Sequence, residues 1–162
     1  MIVRVVLLPL ALIALTIGCA KSDLASATNA QTPAGTIALT ITSSNGKHVF
    51  QVEQAKTSAQ QERGLMYRTD LTDTGGMLFW PYPPEGGGPK EASFWMKNTP
   101  SALDLIFIRT DGTIAHIAEN AVPYDETPIL SGEPVGAVLE IKGGRAAALG
   151  IAEGDKANWT GK

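Results

Sequence analysis

The chain has one cysteine, Cys19, and two histidines, His48 and His116, among its 162 residues. A single cysteine excludes an internal disulfide, and no cysteine follows residue 19 that could act as a nucleophile or thiolate ligand in the folded part. The sequence also lacks a His-Glu-x-x-His helix, a Gly-x-Ser-x-Gly turn, a phosphate-binding loop and a dinucleotide fingerprint. We therefore predict neither a metal site nor a cofactor.

Basic residues are also few. The formal net charge is −3, with 13 Lys and Arg against 16 Asp and Glu. Non-specific nucleic-acid binding needs a basic surface that neutralises phosphates. The charge balance therefore predicts a protein that does not bind nucleic acid.

The one long apolar run is at the N-terminus, where Arg4 is the only charged residue of residues 1–18. A positive residue followed by about ten apolar ones is typical of a secretory signal peptide. The run is short for a spanning helix, which needs roughly 20 apolar residues, and Pro9 interrupts it. Residues 1–18 are predicted to be a signal peptide, with a permanent signal anchor as the alternative.

Two processing routes fit the residues around Cys19. Small side chains at Gly18 and Ala20 suit an ordinary signal-peptidase cut, whereas Leu-Thr-Ile-Gly-Cys, ending at Cys19, resembles a bacterial lipobox. Lipidation of Cys19 explains a lone cysteine directly after the apolar run. The expected location is then the periplasm or the outer membrane, with a lipid anchor in the membrane. Residues 19–35, rich in Ser, Ala and Thr, are predicted to be a flexible tether.

Residues 36–162 are predicted to form a single β domain. Alternating segments at 36–42 and 48–53 flank Asn45-Gly46, and segments 102–109 and 113–119 flank Asp111-Gly112; both patterns indicate hairpins. Further strands are expected at 75–80, 93–99, 135–142 and 157–159, with loops at 81–90 and 122–134. Thr57 and Gln60 can form a capping box that begins a short helix ending at Arg63. The fold class is a mainly β protein, a small sandwich or partly closed barrel with one or two short helices.

Several motifs occur in the order of a known bacterial and archaeal family. They are Arg-Gly-Leu-Met-Tyr-Arg at 63–68, Gly-Met-Leu-Phe at 76–79, Phe-Trp-Met-Lys-Asn-Thr at 94–99, Leu-Asp-Leu-Ile-Phe at 103–107 and Val-Leu-Glu-Ile at 138–141. The sequence thereby resembles the uncharacterised family called domain of unknown function 192. The resemblance implies a compact β-sandwich-like domain and no established reaction.

Three carboxylates are candidate catalytic residues. Counting back from the Asp111-Gly112 turn places Asp104 opposite Glu119, at a Cβ separation of roughly 5 Å. Such a pair could act as general acid and base, or hold a hard cation. The alternative is that Glu119 lies beyond the pairing and faces water. Glu140, between two apolar residues, is either a half-buried acid with a raised pKa or a structural partner of Arg63 or Lys97.

The densest group of polar and aromatic residues is Trp95, Lys97 and Asn98. Trp95 and Lys97 share one face of a predicted strand and could form a floor on which a ring or sugar stacks. The alternative places Trp95 in the core and pairs Lys97 with Asp104 or Glu140. Arg63, at a helix end, is either an anion clamp or a partner of the helix dipole.

The first functional hypothesis is a cell-envelope binding or accessory module for a small polar molecule or an envelope saccharide. Its predicted ligand-binding residues are Arg63, Trp95, Lys97, Asn98, Asp104 and Glu140. The second hypothesis is a hydrolase, conceivably acting on glycosides, that uses two of Asp104, Glu119 and Glu140. The third is a structural or interaction domain without a ligand.

Overall fold

A computed structural model describes residues 35–162. The predicted signal peptide, Cys19 and nearly all of the predicted tether lie outside the described residues. Nine strands and two short helices make up the described part: β1 Ile37–Ser43, β2 Gly46–Ala55, α1 Ser58–Arg63, β3 Gly75–Phe79, β4 Lys90–Phe94, β5 Leu103–Ile108, β6 Ile114–Ala121, β7 Ile129–Val135, β8 Ala137–Lys142, α2 Arg145–Leu149 and β9 Lys156–Trp159. Neither of these helices has the length and apolar character needed to cross a membrane.

Seven strands form one curled sheet in the order β6-β5-β8-β3-β2-β1-β9, and β4 pairs with β7 in a separate two-stranded sheet. All neighbours are antiparallel except β2 and β3, which run parallel. The polypeptide between β2 and β3 contains α1, so this parallel connection places the helix beside the sheet. The predicted mainly β fold with short helices is confirmed.

The central strands are buried on both faces. Leu139 and Ile141 of β8 belong to one apolar cluster, and Val138 belongs to a second. All six residues of β5 are buried for the same reason, with Ile106 in the first cluster and Leu105 in the second. Because neighbouring strand residues point to opposite faces, Glu140 lies on the face of the second cluster.

Two predictions of secondary structure, one strand and one loop, were wrong. The strand predicted at residues 93–99 ends at Phe94, since Met96 donates its N–H to Asp125 O and Asn98 has a positive φ of 53°. Part of the loop predicted at 122–134 is strand β7. Pro134 is tolerated there because β7 is an edge strand of a two-stranded sheet, where a missing N–H costs little.

In the second hairpin Phe107 pairs with His116, and their rings stack with centroids 5.9 Å apart. The register shifts between Leu103 and Leu105, so Asp104 does not form the regular one-to-one pair with Glu119 that was predicted. Such a bulge sets two residues of one strand against one of the other.

Candidate functional site

A cleft of about 380 Å³ lies among α1, the loop that follows β3, and the segment that follows β4. We call it the Glu140 cleft, because Glu140 is its buried acidic residue. A neighbouring hollow of about 500 Å³ shares Arg63, Trp95 and Lys97 with it and adds Asn98. Aromatic and aliphatic side chains make up much of the remaining wall of the cleft: Leu65, Met66, Phe79, Tyr82, Phe94 and Pro84.

Glu140 is 5% exposed, and its Oε2 has no hydrogen-bond partner among the described residues. Burial raises the pKa of this carboxyl to about 8. The charged form is disfavoured because few polar groups replace the water that the carboxylate loses. Glu140 is therefore mostly neutral at pH 7 and is able both to donate and to accept a hydrogen bond. Of the two sequence alternatives, the burial of Glu140 and its raised pKa favour the acid, and Glu140 forms no ion pair with Arg63 or Lys97.

Local sequence places Arg63 beside the cleft. Thr57 and Gln60 form the predicted capping box at the start of α1, and Gly64 ends the helix at φ 47°. A Cβ on Gly64 would approach the Phe79 ring to 3.2 Å, so glycine allows the helix end to lie close against β3. Gln61 Nε2 donates to the carbonyls of Ala55 and Pro81, which ties α1 to the sheet and to the loop after β3.

Trp95 and Lys97 lie in the segment after β4. Trp95 is 46% exposed, and Lys97 Nζ lies 4.9 Å from the centre of its indole ring. Asn98 holds the turn at positive φ, and its carbonyl accepts the N–H of Tyr67. The alternative with Trp95 in the core and Lys97 in an ion pair is wrong.

Asp104 does not line the cleft. It lies opposite Ile141 of β8, whereas Glu140 faces the other side of the sheet. Its two oxygens accept the backbone N–H groups of Asn120, Gly144 and Ala146 at 2.8–2.9 Å. The buried Asp104 carboxylate thus joins β6 to the start of α2 and is structural.

Glu119 is exposed on β6 and is absent from the lining of the cleft. Of the three predicted catalytic candidates, only Glu140 reaches it. The structure therefore brings together Arg63, Trp95, Lys97 and Glu140 around the cleft and Asn98 beside it, but it separates Asp104 and Glu119 from them.

Sequence reasoning missed several lining residues, among them Glu62, Tyr82 and Glu85. The Glu85 carboxylate accepts a hydrogen bond from the Ser58 hydroxyl, which holds the loop against α1 and keeps the pKa of Glu85 low. Burial raises the pKa of Tyr82. The available signal was the long Pro- and Gly-rich loop itself, since such loops in compact domains tend to be functional.

Residues 35–162 contain no group of three or more His, Asp or Glu side chains placed to hold a metal ion. The cleft instead combines one neutral carboxyl, two cations and an exposed indole. These groups can bind a polar ligand through hydrogen bonds, charge and ring stacking.

Comparison with known proteins gives one family. The model of DUF192, described as an uncharacterized ACR, matches residues 40–159. No match is found among the curated proteins.

Two crystal structures are similar to the chain. A protein of unknown function from Novosphingobium aromaticivorans DSM 12444 is 51% identical, over 76% of this chain and 85% of the other, with a TM-score of 0.72. A protein described as a candidate transcription regulator from Sinorhizobium meliloti 1021 is 40% identical, over 78% of this chain and 95% of the other, also with a TM-score of 0.72.

Proposed function

Because the chain belongs to the DUF192 family, which is uncharacterised, we propose its function from the cleft and from the export segment predicted at residues 1–19: it is a module that binds a small polar ligand, in particular a saccharide unit of the cell envelope. The observation that carries this proposal is the Oε2 atom of Glu140, which is buried in the cleft and has no hydrogen-bond partner within residues 35–162. An unsatisfied buried polar group costs about 1–3 kcal/mol. A ligand hydroxyl would supply the missing hydrogen bond.

Trp95 supports a ring-shaped ligand. Trp95 is 46% exposed and lines the cleft, where aromatic side chains commonly contact ligands. Lys97 Nζ lies over the ring, and the exposed part of the indole is available for stacking. The third hypothesis, a domain without a ligand, requires Trp95 and Lys97 to be buried and mutually satisfied, which their exposure does not support.

Export and lipidation remain part of the proposal and rest on residues 1–19. A module with this tether would present its cleft in the periplasm, where envelope saccharides occur. The description of the Sinorhizobium relative does not lead us to propose DNA binding. The net charge of −3 lacks the basic excess that phosphate contacts need.

One observation favours a second candidate, a hydrolase. A carboxyl with a pKa of about 8 can protonate a leaving group at neutral pH. The second catalytic carboxylate would be Glu62 or Glu85, which line the same cleft. Asp104 and Glu119 do not line it. Release of shorter products from envelope oligosaccharides, abolished by Glu140→Gln, would favour this candidate.

The binding proposal is tested by titrating the purified protein with a panel of envelope mono- and oligosaccharides and following the intrinsic tryptophan fluorescence. At least one compound is expected to bind saturably, and Trp95→Ala is expected to abolish binding. Val49→Ala serves as the control, because Val49 is 50% exposed and does not line the cleft. Saturable binding that survives Trp95→Ala, or a panel with no binding compound, would contradict the proposal.

A further inference from the structure

We infer that the ligand of the Glu140 cleft is a sugar that carries a carboxylate, with Arg63 and Lys97 binding the anion and the carboxyl of Glu140 donating to it or to a neighbouring hydroxyl. This inference rests on the proposed function and adds the charge and chemical class of the ligand. Three features support it: Arg63 and Lys97 have no carboxylate partner among the described residues, few charged acidic groups lie near them, and the Trp95 indole is exposed.

Arg63 has no acceptor among residues 35–162. The other arginines of residues 35–162, Arg68, Arg109 and Arg145, each donate to a carboxylate or a backbone carbonyl. The guanidinium of Arg63 makes no hydrogen bond or ion pair with any described residue, although it lines both the cleft and the adjoining hollow. A guanidinium offers five donors in a planar fork that matches a carboxylate. Its place beside the cleft therefore favours an anionic ligand.

Lys97 is the second cation. It lines the same two spaces, is half-buried and has no carboxylate partner among the described residues. Its contact with the Trp95 ring holds the amine beside the exposed indole. A ring stacked on Trp95 would thus bring its substituents within reach of the ammonium group. Trp95 and Lys97 together would recognise a ring and a charge at one place, and a simple inorganic anion has no ring to stack on Trp95.

The acidic groups near the cations leave this end of the site positive. Glu140 is mostly neutral at pH 7, whereas Glu85, which lines the cleft but not the adjoining hollow, stays ionised because the hydrogen bond from Ser58 lowers its pKa. Glu62 is exposed and is the one acidic residue that lines the adjoining hollow, against the two cations there. A carboxylate bound at Arg63 and Lys97 on the side of the hollow therefore meets two cations and one acidic residue. The neutral carboxyl of Glu140 provides the proton that a carboxylate oxygen or a ring hydroxyl can accept.

The experiment compares matched sugar pairs: galacturonate with galactose and glucuronate with glucose, as monomers and short oligomers, by calorimetry and ligand-observed NMR. Each acid is expected to bind at least about tenfold more tightly than its neutral partner, since hydrogen bonds to charged groups are the stronger ones. Added NaCl should lower the affinity for the acidic sugars and leave the affinity for the neutral sugars unchanged.

Variants assign the effect to the cations. Arg63→Gln and Lys97→Gln are each expected to reduce uronate affinity about tenfold and to reduce the affinity for the neutral sugar by a smaller factor. The matched control is Lys47→Gln, because Lys47 is an exposed lysine outside the cleft. This substitution should change neither the uronate affinity nor the neutral-sugar affinity. Melting temperatures of all three variants establish that they are folded.

The outcomes separate this inference from the proposed function. Equal affinity for acid and neutral sugars would overturn the anionic ligand and leave saccharide binding in place. Lactate is an acid without a ring. If it bound as tightly as the uronates, the inference that the ligand is a sugar acid would be overturned. Binding of neither acids nor neutral sugars would overturn both proposals.

Discussion

Glu140 of β8 lies directly opposite Leu105 of β5 in the antiparallel register. On its other side β8 pairs with β3, where Met77 opposes the same residue. Cross-strand neighbours are the closest side chains on a sheet face, so the glutamate is flanked on both sides by apolar groups. This placement removes water from the carboxyl without providing an ion pair, and it explains the raised pKa of Glu140.

Replacing the carboxyl by an apolar group should stabilise the protein and remove its binding. Glu140→Leu is expected to raise the free energy of unfolding by about 1–3 kcal/mol, because a buried group without a partner is eliminated. The same variant should lose ligand affinity. Urea denaturation and saccharide titration measure the two effects. Met77→Leu, a swap of similar volume beside Glu140, is the control and should change stability by less than about 1.5 kcal/mol. If Glu140→Leu lowered the free energy of unfolding, this would contradict the interpretation that the Glu140 carboxyl is buried without a hydrogen-bond partner.

The raised pKa of Glu140 predicts a specific pH dependence of stability. In the unfolded chain the carboxyl ionises with an ordinary pKa of 4.5, whereas in the folded protein burial raises this pKa to about 8. The folded state therefore binds more protons between these values, and its stability falls as the pH rises from about 4.5 to about 8. The total loss amounts to a few kcal/mol.

The control for this prediction is Glu140→Gln, which cannot ionise. The difference in unfolding free energy between the two proteins, measured by urea denaturation from pH 4 to 9, isolates the contribution of Glu140. The cleft also contains Arg63, Lys97, Glu62, Glu85 and Tyr82, whose effects are common to both proteins to a first approximation. A difference that does not vary with pH would show that Glu140 is not desolvated.

Asp104→Asn should destabilise the fold without a specific effect on the cleft. The carboxylate accepts three backbone N–H groups, and an amide presents an N–H₂ group where one of its oxygens accepts. We expect a loss of at least about 2 kcal/mol in unfolding free energy. Asp125→Asn is the matched control: its exposed carboxylate accepts one backbone amide, from Thr127, and the loss should be smaller. A selective loss of ligand affinity in folded Asp104→Asn would instead place Asp104 in the site.

Thr57→Ala should weaken ligand binding by loosening α1. The threonine side chain accepts the N–H of Gln60 at the start of this six-residue helix. Loss of an N-cap costs about 0.5–2 kcal/mol, and Arg63 lies at the other end of the same helix. Uronate affinity is expected to fall while the core remains intact, which near-ultraviolet circular dichroism and calorimetry can establish. Thr69→Ala, an exposed threonine outside the helix, should have no such effect.

Cys19→Ser tests the predicted lipid anchor. If Cys19 is lipidated, the native protein partitions with membranes and the serine variant is released into the soluble fraction. Cell fractionation followed by immunoblotting measures this partition. Equal partitioning of the two proteins would indicate a secreted protein without a lipid anchor or one held by residues 1–18.

Much of the fold could be predicted because its signals are local. The first hairpin, the capping box of α1 and the last strand each depend on residues a few positions apart. The pairing of β4 with β7 could not be predicted, because its partners are about 40 residues apart and Pro134 and Gly132 argue against a strand. The register of Asp104 was missed for a related reason, since a bulge leaves no consistent mark in the sequence.

For the site, the sequence by itself determined which chemical groups were available: a tryptophan and a lysine close together, an arginine ending a short helix, and a glutamate within an apolar strand. Their spatial arrangement was decided only by the tertiary structure. Alternation along β5 and β8 puts Asp104 on one face of the sheet and Glu140 on the other, and the parallel connection from β2 to β3 brings Arg63 to the Glu140 side. Whether a carboxylate meets backbone amides or apolar neighbours depends on residues distant in the chain. That contrast made Asp104 structural and left Glu140 as the unpaired acid of the cleft.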